Sequence, residues 1–206
     1  GYDIIEDETN IVIVGTKYSN NNGDKNIFVT KFNNTLDTKI WEVELNLSGD
    51  DEALSIVMGL NNDYIVSGYR TNGFRGDKDI IVLKIDANTG IYNEISNGNW
   101  NGASDEVANK VIKTSDDSFV MIGYTSSFEL GNKDVYTIKF DNTGTILWKR
   151  NYGCPFVDDI GNDIKETFEG GIGGYIIGAS TSNTFNTDSW FLKTNHEGSI
   201  NHNICE

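Results

Sequence analysis

The chain is poor in the residues that most often build catalytic and metal centres. Its 206 residues include two histidines, one proline and two cysteines, Cys154 and Cys205. A Ser–His–Asp triad is therefore poorly supplied with histidine. The cysteines lack C-x-x-C spacing, so they form neither a zinc site nor a disulfide framework. No apolar run approaches the ~20 residues of a membrane-spanning helix, and we expect no membrane insertion.

Positive charge is scarce as well. The sequence has 16 Lys and Arg against 31 Asp and Glu, which gives a net charge of −15 at pH 7. Binding to a nucleic-acid backbone needs clustered Lys and Arg, and an anionic membrane surface attracts the same residues. Neither partner is expected, whereas divalent cations are compatible with this charge. A hydrophobic content of 37% is typical of a globular protein.

What the sequence does contain is a fourfold repeat. An apolar run that closes in glycine reads IVIVG, YIVSG, FVMIG and YIIG. The closing glycines are Gly15, Gly68, Gly123 and Gly178. A second run in each repeat carries a lysine, and these strand lysines are Lys31, Lys84, Lys139 and Lys193. Both anchors recur every 53–55 residues, so we expect each set to occupy equivalent positions in four structural units.

Each repeat contains four strand-like pieces separated by turn residues. No stretch has a sustained helical pattern with caps. Several pieces are apolar on both faces, which requires that their sheets be packed on both sides. The pattern predicts an all-β fold, a β-propeller of four blades in one domain, each blade a four-stranded antiparallel sheet of ~54 residues. The predicted blades span about 1–48, 49–101, 102–153 and 154–206.

The stretch DNTG at 141–144 joins the third and fourth strands of its repeat. It could be a calcium loop, but it offers too few convergent oxygens. Gly90, Gly144 and Gly198 share one place in the repeat. We predict that all three glycines adopt positive φ in hairpin turns.

The repeat resembles that of bacterial β-propeller proteins that are secreted, lipid-anchored or displayed on the cell surface. The pattern is Gly-Asp-Asp, Ser-Ile, Gly-Gly-Tyr-Ile-Ile, then Asp-x-x-x-x-Lys-x-Asp-x-x-Gly-x-x-x-Trp. It is matched by Gly49, Asp50, Asp51, Ser55, Ile56, Gly173, Gly174, Tyr175, Ile176, Ile177, Gly178, Asp134, Lys139, Asp141, Gly144 and Trp148. The resemblance implies a bacterial protein that is extracellular or on the cell surface. It implies no catalytic residues, because the pattern is one of folding.

Acidic residues recur in each connection from the fourth strand of one repeat to the first strand of the next. They read Asp50–Asp51–Glu52, Asp105–Glu106 and Asp158–Asp159. Asp51, Glu106 and Asp159 could ring a channel mouth and bind calcium, since hard cations take carboxylate oxygens. Alternatively, the acids cap turns and accept backbone N–H bonds. Their recurrence in every copy favours this structural role, and we expect structural ion pairs at the strand lysines for the same reason.

Aromatic residues recur in the loops between the second and third strands. They are Tyr18, Phe74, Phe128 and Phe185. Such rings could stack on sugars or cover the edges of the blades.

Three functions stay open. The leading hypothesis is a non-catalytic binding or scaffolding module that recognises a protein or glycan. The second is a carboxylate-dependent hydrolase of the glycosidase type with acids at the channel mouth. The third is a segment that packs with further propeller repeats or with a second copy of itself. Four blades can close alone or belong to a larger ring, and we slightly favour closure.

The two cysteines are expected to lie apart. Cys154 follows the outer strand of the third repeat and leads toward the axis, whereas Cys205 ends the fourth repeat at the rim. A disulfide requires Cα atoms within ~7 Å, so we predict no bond between them.

Overall fold

Antiparallel strands build the whole computed structural model, which describes residues 1–19, 23–47, 49–71, 76–128, 132–169 and 172–200. The first sheet contains β1 (Asp3–Asp7), β2 (Asn10–Tyr18), β3 (Lys25–Asn33) and β4 (Lys39–Leu45). The second contains β5 (Glu52–Met58), β6 (Asp63–Thr71), β7 (Lys78–Asp86) and β8 (Tyr92–Glu94). The third contains β9 (Glu106–Lys113), β10 (Phe119–Thr125), β11 (Asp134–Phe140) and β12 (Ile146–Tyr152). The fourth contains β13 (Asp158–Glu169), β14 (Ile172–Ser182) and β15 (Thr187–Asn195).

Within each sheet every strand pairs with the next strand in sequence, so each sheet is a simple meander. This is the predicted β-propeller architecture, with one sheet for each repeat. The described ranges contain no helix, and accordingly no helix there is long and apolar enough to cross a membrane. A fourth strand of the last sheet was predicted to reach residues 201–206, which lie outside the described residues.

Three apolar cores hold consecutive sheets together. The first core joins Val12 and Val29 to Leu83 of the second sheet. The other two cores lie between the second and third sheets and between the third and fourth sheets. Strand β10 is buried along its full length on both faces. The apolar two-faced strands of the sequence therefore do lie between neighbouring sheets.

Polar side chains join the innermost strands around the axis. Lys110 of the third sheet donates to Asp3 Oδ2 of the first sheet over 2.9 Å. Ser55 of the second sheet donates to the same oxygen over 2.9 Å. The bond between Lys110 and Asp3 spans two sheets that are not consecutive, which shows that the sheets turn around a common axis.

The predicted structural ion pairs form at three strand lysines. Lys31 Nζ lies 2.7 Å from Asp7 Oδ2 in its own sheet. It also reaches into the second sheet, where it donates to Tyr64 Oη over 2.8 Å and to the Ala87 carbonyl over 3.0 Å. The other two pairs are Lys84 with Asp63 at 3.1 Å and Lys139 with Asp116 at 2.6 Å. All three lysines therefore have an ion-pair partner in their own sheet, and Lys31 in addition fixes the first sheet to the second.

The hairpin interpretation of Gly90, Gly144 and Gly198 is confirmed, since their φ values are 72°, 84° and 73°. The repeat glycines of the second strands, Gly68 and Gly123, are needed for a different reason: a side chain there would collide with the neighbouring strand. A Cβ on Gly68 would lie 1.9 Å from the carbonyl oxygen of Glu52, and one on Gly123 would lie 1.8 Å from that of Val107. In both sheets, an irregularity in the strand pairing lies next to the glycine.

The predicted equivalence fails for Gly178. Gly123 pairs with Ala108 beside the irregularity, whereas the corresponding pair in the fourth sheet is Ala179 with Gly161. Gly178 is therefore one residue early, and Ala179 takes the place of Gly123. The apolar run of the repeat begins at equivalent positions in the third and fourth sheets, but in the fourth sheet it ends in Ala179 and not in glycine.

The expectation of a closed four-bladed ring is not met. Among the described residues, apolar clusters fill the three spaces between consecutive sheets, and none joins the fourth sheet to the first. One face of each end sheet is left open. The side chains of Ile4 on the first sheet and Phe191 on the fourth are 59% and 73% exposed.

The prediction of two unpaired cysteines is wrong. Cys154 is disulfide-bonded, and the chain has only one other cysteine, Cys205, which lies outside the described residues. Cys154 comes two residues after the outer strand β12, and its backbone N–H donates to Asp159 Oδ2 over 2.8 Å. The sequence argument placed Cys154 out of reach of a second cysteine, and the disulfide shows that this was wrong.

Candidate functional site

One end of the sheets gathers most of the candidate residues. We call it the loop face: it carries the connections between sheets and the loops that join the second and third strands of each sheet. Hydrogen bonds tie these two kinds of segment together. The backbone N–H of Lys25 donates to Asp50 Oδ1 over 2.9 Å, and the N–H of Asp51 donates to the Lys25 carbonyl over 2.7 Å.

The same pairing recurs in the next two sheets. Asp105 Oδ1 accepts from the backbone N–H of Lys78 over 2.9 Å, and Asp158 Oδ1 accepts from that of Lys133 over 3.0 Å. The first acid of each connection is therefore the residue that docks the connection on the preceding sheet.

The second acid of each connection is buried. Asp51, Glu106 and Asp159 are 0%, 1% and 1% exposed. Asp51 accepts backbone N–H bonds from Thr71 over 3.0 Å and from Leu47 over 3.2 Å. These are the contacts of a turn cap.

The other two buried acids are used in the same way. Glu106 accepts from the Thr125 hydroxyl and from the backbone N–H of Gly102, both over 2.6 Å. Asp159 accepts from the backbone N–H of Cys154. The structural interpretation of the sequence therefore describes the contacts of all three acids.

The metal-binding interpretation finds less to build on. The described part of the chain holds no group of three or more His, Cys, Asp or Glu side chains placed to share a metal ion. Asp51, Glu106 and Asp159 belong to three separate connections, and each is satisfied locally. A calcium site would have to compete with these bonds for the carboxylate oxygens.

The proton affinity of Asp51 is shifted by its surroundings. Burial raises the pKa of its carboxyl to about 6, although the two backbone N–H groups favour the charged form. A raised pKa is a property of general acids. Asp51 is nevertheless fully buried, so a substrate could not reach it without displacing the turn.

The acid on the axis is also engaged. Burial would raise the pKa of Asp3, but hydrogen bonds from Lys110, the Ile56 N–H and Ser55 lower it. Asp3 thus carries a negative charge that three donors already share. Asp3 therefore links the sheets through hydrogen bonds and does not act as a base.

The predicted loop aromatics do reach solvent. Tyr18, Phe128 and Phe185 are 66%, 41% and 89% exposed. They lie at the loop face of the first, third and fourth sheets, and Phe74 lies outside the described residues. Of these rings, Phe128 has an aromatic neighbour, with its centroid 6.1 Å from that of Tyr136. Covering of blade edges therefore explains Phe128 in part, but it does not explain Tyr18 or Phe185.

Phe156 is a further aromatic residue of the loop face that sequence reasoning missed. It lies in the connection to the fourth sheet and is 78% exposed, with a φ of 69° that bulky residues rarely adopt. The connection is held by the disulfide of Cys154 and by Asn132, whose Nδ2 donates to the Val157 carbonyl over 2.9 Å. A ring that is strained, exposed and firmly supported is a candidate for ligand contact. It has no counterpart in the other repeats, so the repeat pattern did not indicate it.

Comparison with known proteins supports the fold. No protein-family model matches the chain, and no curated protein matches it by sequence. Among solved structures, a protein of unknown function from Dyadobacter fermentans aligns with a TM-score of 0.60 at 12% identity, over 95% of this chain and 65% of that one. A thermostable family-43 glycoside hydrolase aligns with a TM-score of 0.56 at 10% identity, over 91% of this chain and 70% of that one.

A third structure is similar over a smaller part of its own length. It is the acylaminoacyl peptidase of Pyrococcus horikoshii, with a TM-score of 0.53 at 8% identity, over 93% of this chain and 32% of that one. The chain thus spans about two thirds of the first two structures and one third of the third. Because a glycoside hydrolase and a peptidase share the fold, the likeness concerns architecture alone.

Proposed function

We propose that this chain is a non-catalytic binding module that recognises a glycan through the aromatic residues of the loop face. The proposal rests on the different environments of the acidic and aromatic residues at this face. The recurrent acids accept hydrogen bonds that hold the connections, whereas Tyr18, Phe156 and Phe185 expose their rings to solvent.

A glycan fits this surface better than a charged ligand. Exposed rings offer flat apolar faces for stacking. The turn that bears Phe185 is fixed by Asn183, whose Oδ1 accepts from the backbone N–H groups of Phe185 and Asn186. The net charge of −15 opposes an anionic partner. An extracellular or cell-surface location is part of the proposal, and the disulfide of Cys154 supports it because disulfides persist in oxidising compartments.

A carboxylate-dependent glycosidase is the second candidate. The similarity of fold to a family-43 glycoside hydrolase favours it, as does the raised pKa of Asp51. Against it stands the burial of Asp51, Glu106 and Asp159. A glycosidase needs two carboxyl groups that flank a bound sugar, and these three are already bonded to the chain.

The proposal is tested on a glycan array, with millimolar calcium and with a chelator. We expect retention of an intact glycan in both conditions. Protein bound to other proteins but to no glycan would overturn the glycan assignment, and release of shortened sugars would favour the glycosidase. A calcium-dependent rise in melting temperature that Asp51→Asn abolishes would assign a cation to the connections.

A further inference from the structure

The first and fourth sheets each expose a face that is covered in every other sheet. On the first sheet we call it the receiving face, formed by Ile4, Glu6, Ile11, Ile13 and Phe28. Strand register relates these positions to Ile56, Met58, Tyr64, Val66 and Ile81 of the second sheet. There, Ile56, Tyr64 and Ile81 are 2% exposed or less because the first sheet covers them.

The receiving face contains an open cavity. Its volume is about 350 Å³, and it is lined by Ile4, Ile5, Glu6, Ile11 and Asn34. Ile11 and Asn34 hold the positions of Tyr64 and Ala87 in the second sheet. In that sheet the matching space is occupied, since Lys31 bonds to Tyr64 and to the carbonyl of Ala87. The cavity therefore corresponds to the place where the second sheet binds Lys31, and none of the described lysines occupies it.

The fourth sheet offers the complementary surface, which we call the projecting face. It carries Ile176, Phe191 and Lys193 on the side away from the third sheet. Lys193 pairs with Ile176 as Lys31 pairs with Val12, so it is the strand lysine of its sheet. Ile176 and Phe191 are 45% and 73% exposed, and the Lys193 side chain is exposed as well.

We propose that the projecting face of one copy of this chain docks on the receiving face of a second copy, with Lys193 entering the cavity beside Glu6 and Asn34. The contact continues the packing that already joins the sheets within the chain. Lys31 shows that a strand lysine can keep a partner in its own sheet and still bind the next. The receiving face adds a carboxylate, Glu6, where the second sheet has Met58, which gives the ammonium group an opposite charge.

A second copy is the occupant that the chain itself supplies. Each copy carries one face of each kind, and within one copy the described residues form no apolar cluster between the fourth and first sheets. The contact joins two different surfaces, so it repeats from copy to copy until a ring closes. It lies on sheet faces and not on the loop face, so it holds whether or not the glycan proposal does.

The first test is sedimentation velocity of the full chain over roughly 1–200 μM, a range suited to micromolar association. We expect association that grows with concentration. Phe191→Ser should weaken it at least about tenfold with an unchanged melting temperature, because the side chain is 73% exposed. A chain that is monomeric throughout, or an association that Phe191→Ser leaves unchanged, overturns the proposal.

A charge exchange identifies the two faces. Glu6→Lys alone and Lys193→Glu alone should each prevent self-association, because like charges then meet across the contact. An equimolar mixture of the two variants should associate again, since both of its mixed contacts pair opposite charges. Lys149→Glu, at an exposed position of the third sheet and so on neither of the two faces, is the matched control and should associate as the wild type does. Failure of the mixture to recover would overturn the assigned pairing.

Discussion

The end of the sheets opposite the loop face bears the hairpin turns, and we call it the turn end. Charged residues are buried at both ends, but the two ends differ in how many aromatic residues they expose. At the turn end, Lys31 is buried against Asp7, and the indole of Trp41 is 9% exposed and donates to the Ala87 carbonyl over 3.0 Å. At the loop face Glu106 is equally buried, but Tyr18 is 66% exposed. Among the described residues, Phe168 and Tyr92 are exposed rings of the turn end. Recurrent charge thus belongs to the framework at both ends, and the loop face differs in exposing more aromatic rings, namely Tyr18, Phe128, Phe156 and Phe185.

Trp100 gives the largest expected effect, because it belongs to the connection between the second and third sheets and its ring is fully buried. It packs edge-on against Phe140 with 4.8 Å between ring centroids. Trp100→Ala should lower the free energy of unfolding by about 3–5 kcal/mol. Its indole Nε1 has no hydrogen-bond partner among the described residues, so Trp100→Phe should cost under about 1.5 kcal/mol. Chemical denaturation measures both, and equal losses would contradict the packing role.

Lys31 tests the charged half of the comparison. Lys31→Met leaves the Asp7 carboxylate buried without its cation, which should cost about 3 kcal/mol of unfolding free energy. The control is Lys17→Met, because Lys17 is 45% exposed and pairs with Glu44 at the surface; it should cost under about 1 kcal/mol. If chemical denaturation shows the same loss of unfolding free energy in both variants, Lys31 does not hold the two sheets together.

Asp51 of the loop face predicts a pH dependence. Burial holds the pKa of Asp51 at about 6, above its ordinary 3.8, so the folded chain binds this proton more tightly than the unfolded chain. The group therefore adds stability as the pH falls from about 7 to about 4, by up to about 2 kcal/mol. Asp51→Asn should remove this part of the slope. An identical slope in the variant would refute the assignment.

Asp116 of the turn end should behave in the opposite sense. Burial would raise its pKa, but the hydrogen bond and charge of Lys139 lower it to about 2. Its stabilisation is present above pH 3.8 and is lost as the pH falls through about 2. The side chain of Asp116 is 54% exposed, so solvent screening limits the effect to about 1 kcal/mol. Acid titration of Asp116→Asn should show a shallower loss below pH 4 than the wild type.

The repeat period was sufficient to predict the sheets, the hairpin glycines and the role of Lys31, because each depends on local chemistry that recurs. It did not predict features in which one copy departs from the others. Ala179 replaces the expected glycine because two small residues adjoin at 178–179, and only strand pairing shows which of them meets the first strand.

The missed parts of the candidate site have a similar cause. Trp100 fills the space between sheets that Trp41 fills in the first repeat, but it follows a three-residue outer strand instead of lying in it. Phe156 and the disulfide of Cys154 each occur in a single connection. Ring closure was slightly favoured because the repeats are whole and the chain is highly charged, whereas the packing of the end sheets depends on their relative orientation, which the repeat pattern does not specify.

The most direct test of glycan recognition at the loop face is a calorimetric titration of the array-selected glycan. It compares the wild type with a variant that combines Tyr18→Ala, Phe156→Ala and Phe185→Ala. Because these rings are exposed, the variant should keep its unfolding free energy within about 0.5 kcal/mol and raise Kd at least ~30-fold, about 2 kcal/mol. Tyr92→Ala removes an aromatic ring of the outer strand β8 that is 42% exposed, and it should leave Kd within about twofold. A triple variant that binds as tightly as the wild type would contradict the account.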